Sequence, residues 1–296
     1  MGGGFDLFCG LPIYFELTQR GHTVHLANYS FADIANLREG EFLTETLAGV
    51  TADFSARYVY FPELYLARWF RQKQNMDITI WCFHKTGVRP LLENYAALVD
   101  HLKIDGILLI DGGVDSLLRG DEAQLGTFLE DTISLIAVSE LKQVSTKFVG
   151  CIAFGAERDM TYAHVFENIA ALTKLGGYFG ACALVQQMDC YQLYEDAVLY
   201  AQNQPMQDAS VINSSIISAV RGEYGNYHLT DKTVGSQLWI SPLMPLYWFF
   251  SLDAVARRNL VYSELRYTDT FLEAWRAFAV AHRTLPSRKA TKIPLT

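Results

Sequence analysis

The chain has 296 residues, 50% of them hydrophobic and 19% charged, a balance that supports a substantial folded core and excludes a disordered polymer. Lys and Arg number 24 against 32 Asp and Glu, and the resulting net charge of -8 argues against nucleic acid or an anionic membrane as the main partner. The five cysteines show no CxxC pair or metal-type spacing, and Cys9, Cys82, Cys151 and Cys182 have apolar neighbours. Such usage suits small core residues in a reducing, cytoplasmic setting.

The N-terminus lacks a basic segment followed by an apolar one, so no secretory leader is read there. It opens instead on Gly2-Gly3-Gly4-Phe5-Asp6 and runs directly into a helical pattern over residues 11–20 that stops at Gly21. A glycine cluster at such a junction lets backbone N–H groups approach an anion, which makes Gly2, Gly3, Gly4 and Asp6 candidate ligand contacts. A loose tail is the plainer alternative. No strand precedes the cluster, so the first strand of an α/β unit is expected upstream of residue 2. Leu7 breaks the GxGxxG spacing, and a dinucleotide fingerprint is not supported.

Strands are predicted at 23–28, 58–61, 78–83, 106–110, 147–154, 178–185, 210–217 and 237–240, several of them nearly continuous apolar runs. Helices are predicted at 89–102, 121–142 (as one or two), 161–175, 189–202 and 268–283. The aromatic stretch 58–70, with Glu63 and Arg68 interspersed, reads as core, with a ligand lid or oligomer surface as alternatives. The apolar run 238–252 contains Pro242 and Pro245 and falls short of the roughly 18 residues a spanning helix needs. It reads as strand, loop and helix. Alternating elements predict an α/β protein with an open, mostly parallel Rossmann-like sheet and helices on both faces, a three-layer α/β/α arrangement. No linker composition interrupts the chain, so 1–296 reads as a single domain, with 286–296 as a surface tail.

The densest chemistry follows the apolar strand 106–110, in Asp111-Gly112-Gly113-Val114-Asp115-Ser116-Leu117-Leu118-Arg119-Gly120-Asp121-Glu122. Ligands of open α/β sheets bind outside the carboxyl ends of strands, which places a candidate site here. Two or three carboxylates on one rim can hold Mg²⁺ together with substrate phosphates, with Asp111 and Asp121 as first choices for ligands. Alternatively, Gly112 and Gly113 present N–H groups to an oxyanion while Asp115 or Asp121 orders a ribose or a water. Asp121 and Glu122 also suit plain helix capping, and a buried Asp111–Arg119 pair could simply brace the loop. Phe154-Gly155-Ala156-Glu157-Arg158-Asp159 occupies the analogous position after the next strand. The seven histidines form no HxxxH or HExxH, and GxSxG is absent, so neither a zinc site nor a hydrolase elbow is read. His84, at the end of a strand, is at most a rim acid or base, and Asn213-Ser214-Ser215 suits a polar ligand and sheet packing equally.

The glycine cluster, the central Gly-Gly-x-Asp-x-Leu-x-Arg-Gly-Asp-Glu block and Phe154-Gly155-Ala156-Glu157 together resemble domain-of-unknown-function family 1152 of archaea and bacteria. The similarity spans most of the chain and is weaker beyond Val185. It implies a Rossmann-like α/β fold and no particular activity; family members carry a strand before the glycine cluster, which this chain lacks.

The expected function is therefore binding of a small anionic, phosphorylated or nucleotide-like ligand at the strand ends, by a Mg-assisted transferase or hydrolase if the protein is an enzyme. Asp111, Asp115 and Asp121 are the candidate acid–base or metal residues, and Arg119 the charge stabiliser. Gly2, Gly3, Gly4, Asp6, Gly112, Gly113, Ser116, Glu122, Gly155 and Glu157 are the candidate ligand contacts. A non-catalytic sensor or scaffold, with the 111–122 block purely structural, is the competing reading, and either admits a homo-oligomer.

Overall fold

The computed structural model describes residues 1–55, 60–157 and 159–293. In chain order the elements are α1 (Leu11–Gln19), β1 (Leu26–Tyr29), β2 (Glu41–Thr44), β3 (Leu47–Val50), α2 (Pro62–Gln74), β4 (Ile80–Phe83), α3 (Val88–Leu102), β5 (Gly106–Asp111) and α4 (Phe128–Glu140). They continue as β6 (Thr146–Cys151), α5 (Tyr162–Lys174), β7 (Tyr178–Ala183), α6 (Asp189–Gln202), α7 (Val211–Val220), β8 (Leu246–Ser251), α8 (Leu252–Arg258), α9 (Tyr262–Leu265) and α10 (Phe271–Thr284). No helix of the described residues is long and apolar enough to cross a membrane.

The protein is α/β, but its strands form two four-stranded mixed sheets among the described residues, not one mostly parallel Rossmann-like sheet. The first has the order β1-β4-β3-β2, with β1 parallel to β4 and the other two pairings antiparallel. The second has the order β5-β6-β8-β7, with β5 parallel to β6 and β8 antiparallel to β6. Each sheet thus keeps one parallel pair and adds antiparallel partners that the sequence concealed. β2 and β3 are only four residues each, joined by a tight hairpin, too short to give an alternating pattern. β8 begins immediately after Pro245, in the stretch whose prolines disguised it.

Two compact units hold these sheets. One comprises Gly3–Lys85 and Ala183–Pro245; the other comprises Met1–Gly2, Thr86–Cys182 and the chain from Leu246 onward. Within the first, the stretch expected as strand 210–217 is α7. Ser210 caps it by accepting a hydrogen bond from the Asn213 backbone N–H at 3.1 Å, and this cap outweighs the β propensity of Val211, Ile212, Ile216 and Ile217. Asn213 itself is a buried bracket, donating to Phe5 O at 3.0 Å and accepting from the Tyr194 hydroxyl at 2.8 Å. The expected strand 237–240 is reduced to one bridge between Ile240 and Gly225, and residues 58 and 59 of the expected strand 58–61 lie outside the described residues.

In the second unit, β5 is an edge strand whose buried residues are Leu109 and Asp111, so it is covered on one face and not on both as expected. Side chains alternate along a strand, which puts the Asp111 carboxylate on the core side at the strand's carboxyl end. The helix expected over 121–142 starts only at Phe128, leaving Asp121 and Glu122 in a loop. Cys182, expected in the core, is exposed on β7, while Cys9, Cys82 and Cys151 are buried as expected.

Candidate functional site

Register in the parallel pair sets Asp111 beside Cys151 at the carboxyl ends of β5 and β6. The chain then turns through Gly112 and Gly113 into a short 3₁₀ turn, Asp115–Leu117. Ser116 folds back onto Asp111, donating to Oδ2 from its backbone N–H at 3.1 Å and from its hydroxyl at 2.5 Å. Asp115 Oδ2 accepts from the Thr127 N–H at 2.6 Å and the Thr127 hydroxyl at 2.9 Å, so this carboxylate holds the residue that precedes α4. The first turn of α4 delivers a third carboxylate, Asp131.

Asp111, Asp115 and Asp131 present oxygens that all lie within 4.8 Å of one another. The three are 3%, 1% and 1% exposed. Burial pushes the Asp115 carboxyl up from its ordinary range, against the opposing pull of Asp131 and Thr127. The Cys151 thiol is raised too, first by burial and then by the negative charge of Asp111, Asp131 and Asp115. Among the described residues no hydrogen-bond donor reaches Asp115 Oδ1. Collecting like charges in a buried site is costly, and a divalent cation or a retained proton removes that cost. Gly126 and Thr127, at the edge of the cluster, are exposed, so the carboxylates lie just beneath the surface.

Glu157 comes from the loop after β6 and accepts from the Val114 N–H at 3.2 Å through Oε2. Gly155 (φ +103°) provides the turn in that loop, a backbone conformation that favours glycine. Gly113 is equally constrained, because a Cβ there would lie 2.7 Å from Glu157 Oε2 and 3.2 Å from Asp111 Oδ1. With carboxylates this near and the Val114 N–H already taken, the Gly112–Gly113 turn serves an anion poorly unless a cation intervenes.

The other half of the block has a different occupation. Glu122 is fully buried and accepts from the N–H groups of Arg119 (3.0 Å) and Gly120 (2.9 Å) and from Asn168 Nδ2 (3.1 Å). Arg288 forms ion pairs with Asp121 (3.1 Å), with Glu122 and with Glu167 (2.9 Å). The Arg119 guanidinium sits 3.8 Å from Asp121. Asp121, Glu122 and Arg119 therefore belong to a brace around Arg288, while Asp131, which the sequence reading passed over, joins Asp111 and Asp115. The signal for Asp131 was an acid inside the apolar run from Phe128 to Val138. Within the expected tail 286–296, the chain is tied down at Arg288, whose N–H donates to Asp121 O at 2.7 Å, and residues 294–296 lie outside the described residues.

The glycine cluster divides between the units: Gly2 (φ +71°) belongs with the β5–β6 unit, Gly3, Gly4 and Asp6 with the other. The Gly3 N–H donates to Asp6 Oδ2 at 2.9 Å and is thereby occupied by a carboxylate. A Cβ on Gly3 would run into the Phe31 ring, and one on Gly4 would lie 2.5 Å from the Tyr60 hydroxyl, so close aromatic packing accounts for both glycines. Asp6, with Phe5, Phe31, Tyr60, Ser210 and Lys232, lines a cleft of about 370 Å³ in that unit. Glu63, in the same unit, is fully buried and accepts from Asn28 Nδ2 at 2.7 Å, and burial pushes its carboxyl up. His84, half-buried after β4, has its backbone N–H bonded to Thr46 O at 2.8 Å.

No curated protein and no solved structure matches the chain. One family does, the proteins of unknown function termed DUF1152, over residues 32–282, and the chain belongs to that family.

Proposed function

We propose that the β5–β6 unit binds a divalent cation through Asp111, Asp115 and Asp131, and through it a small phosphorylated or nucleotide-like ligand, as a cation-assisted transferase or hydrolase. The observation that carries this reading is the convergence of three buried carboxylates within 4.8 Å of one another. Oxygen-only ligands select hard ions such as Mg²⁺ or Mn²⁺, and Mg²⁺ characteristically shares its shell between carboxylates and substrate phosphates. The cation resolves two conflicts together: it neutralises the cluster, and it turns a site that repels phosphate into one that attracts it. The position at the carboxyl ends of a parallel strand pair agrees with where α/β sheets place ligands.

The test is calorimetric titration of EDTA-treated protein with MgCl₂ and MnCl₂, followed by thermal unfolding with and without ADP. Cation at 100 times its Kd should stabilise by about 2.7 kcal/mol, and ADP should add to this only when the cation is present. Asp131→Asn should abolish cation binding while stabilising the cation-free protein, because one buried like charge is gone. Failure of either cation to bind at millimolar concentration, or parent-like binding by Asp131→Asn, overturns the proposal.

A further inference from the structure

The cleft of about 370 Å³ is lined wholly by residues of the first unit and shares none with the carboxylate cluster. Its volume lies at the small end of the roughly 300–1,000 Å³ typical of small-molecule sites. The Gly3-Gly4-Phe5 backbone builds its aromatic side. Any side chain on Gly3 would collide with the Phe31 ring, and a Cβ on Gly4 would lie 2.5 Å from the Tyr60 hydroxyl, so both aromatic residues stand against bare backbone. Phe5 meets Tyr60 edge-on at 6.4 Å between centroids, and Lys85 Nζ lies 4.8 Å from the centre of the Phe31 ring. Phe31 nevertheless remains 46% exposed, a large apolar ring left open along the cleft.

The polar lining carries both signs. Asp6 and Asp208 act on the Tyr60 phenol, whose proton is held on first by burial and then by the negative charge of Glu63, Asp6 and Asp208. Asp208 pairs with Lys232 at 3.5 Å, and both side chains are exposed, so water screens the pair and Lys232 can turn to a ligand at little cost. Two further lining groups keep unspent donors. Ser210 Oγ accepts from the Asn213 N–H at 3.1 Å and from Asn213 Nδ2 at 2.9 Å, and its own proton has no acceptor among the described residues. The N–H of Val211, the first residue of α7, likewise meets no acceptor among the described residues.

We infer that this cleft binds a free α-amino acid with an apolar or aromatic side chain. The ligand carboxylate takes the Val211 N–H, the Ser210 hydroxyl and Lys232; the ammonium takes Asp6 and Asp208; the side chain packs on Phe5 and Phe31. Other ligand classes fit less of the lining. A phosphate meets two carboxylates of its own sign, and a plain amine meets Lys232 and the positive end of α7. A neutral nucleoside would cover charged groups of both signs without pairing them. A zwitterion answers both signs at once. The inference goes beyond the cation site and is tested separately from it.

The experiment is calorimetric titration of the full-length protein in EDTA, which keeps the cation site empty. The probes are L-phenylalanine and L-leucine, set against phenethylamine (no carboxylate), hydrocinnamate (no ammonium), adenosine and inorganic phosphate. At least one of the two amino acids should bind saturably, about tenfold or more tighter than every control, because each control leaves a charged group unpaired. Lys232→Met, at an exposed position, should weaken the amino acid about tenfold and spare phenethylamine. Asp6→Asn keeps an acceptor for the Gly3 N–H, and it should weaken the amino acid similarly while sparing hydrocinnamate. Circular dichroism and melting temperature check that both variants fold. No saturable binding of either amino acid at millimolar concentration, a control that binds as tightly, or parent-like amino-acid affinity in either variant overturns the inference and leaves the cation reading standing.

Discussion

Replacement of Arg288 by alanine removes the only side chain seen to join Asp121, Glu122 and Glu167 by ion pairs among the described residues. The backbone bonds of residue 288 to Asp121 and Ala123 survive the change, so the loss is electrostatic. Glu122 is fully buried, and breaking one side of a buried pair costs about 3–5 kcal/mol. Three neutral N–H donors continue to hold Glu122, which lowers the expected loss to about 2–4 kcal/mol. The Glu167 pair is exposed and adds at most about 1 kcal/mol. At roughly 2–4 °C per kcal/mol for a unit of this size, the melting temperature should fall by about 4–20 °C. Differential scanning calorimetry and urea unfolding measure it, with Arg288→Lys recovering part of the loss. A fall of less than about 1 °C would show that the segment near residue 288 contributes nothing as a brace, and the reasoning fails.

Three further substitutions probe the site and the other unit. Gly113→Ala places a methyl against Glu157 and Asp111 and should weaken Mn²⁺ binding at least tenfold with the fold intact by circular dichroism; unchanged affinity would mean the glycine leaves no functional space. Ala153→Gly relieves the left-handed strain and should raise stability by about 1 kcal/mol in urea unfolding, and a loss of stability would show that φ +66° is not strained there. For Glu63, burial raises the folded-state pKa above the ordinary 4.5, so stability is fully present below about that pH and is lost as pH rises through the folded value. Glu63→Gln cannot ionise, so its advantage over the parent in melting temperature should grow from acid toward pH 8; a gap that shrinks instead has the opposite sign from the one derived.

The sequence displayed strongly periodic elements well and short or capped ones poorly. α6 falls on the expected residues 189–202 because Tyr191, Tyr194, Val198 and Ala201 recur at helical spacing and are buried together. α7 reads as a strand by composition, and only the Ser210 cap decides otherwise. The single parallel sheet was inferred from apolar runs that say nothing about direction, and β2, β3 and β8 supply the antiparallel neighbours. At the site, Asp111 and Asp115 were legible because an acid terminating an apolar strand demands a partner. Asp121 and Glu122 look the same in sequence, yet α4 begins after them and Arg288, far away in the chain, claims both. Asp131 was hidden by the apolar residues around it, although an acid on a buried helix face makes the same demand.

The brace and the carboxylate cluster share one loop, and that sharing yields a prediction with a sign opposite to simple charge counting. Residues 117–122 are pinned by Asn168 to Leu117 O at 3.1 Å, by the Leu260 N–H to Arg119 O at 2.8 Å, and by Arg288 to Asp121 and Glu122. Asp115 lies just before this pinned stretch and its partner Thr127 just after it. Without a cation the carboxylates repel one another, and an anchored loop prevents them from separating to relieve it. The anchors therefore raise the energy of the cation-free state and leave the bound state untouched, which increases affinity through preorganisation. Arg288→Ala deletes a positive charge, so electrostatics alone predicts tighter cation binding. Preorganisation predicts weaker binding, by about tenfold if roughly 1.4 kcal/mol of repulsion is relieved by the loosened loop. Calorimetric titration of parent and variant with MnCl₂ at high and low salt separates the two. Weaker binding that persists at high salt supports the anchored loop, whereas tighter binding that fades with salt would reduce Arg288 to a nearby charge.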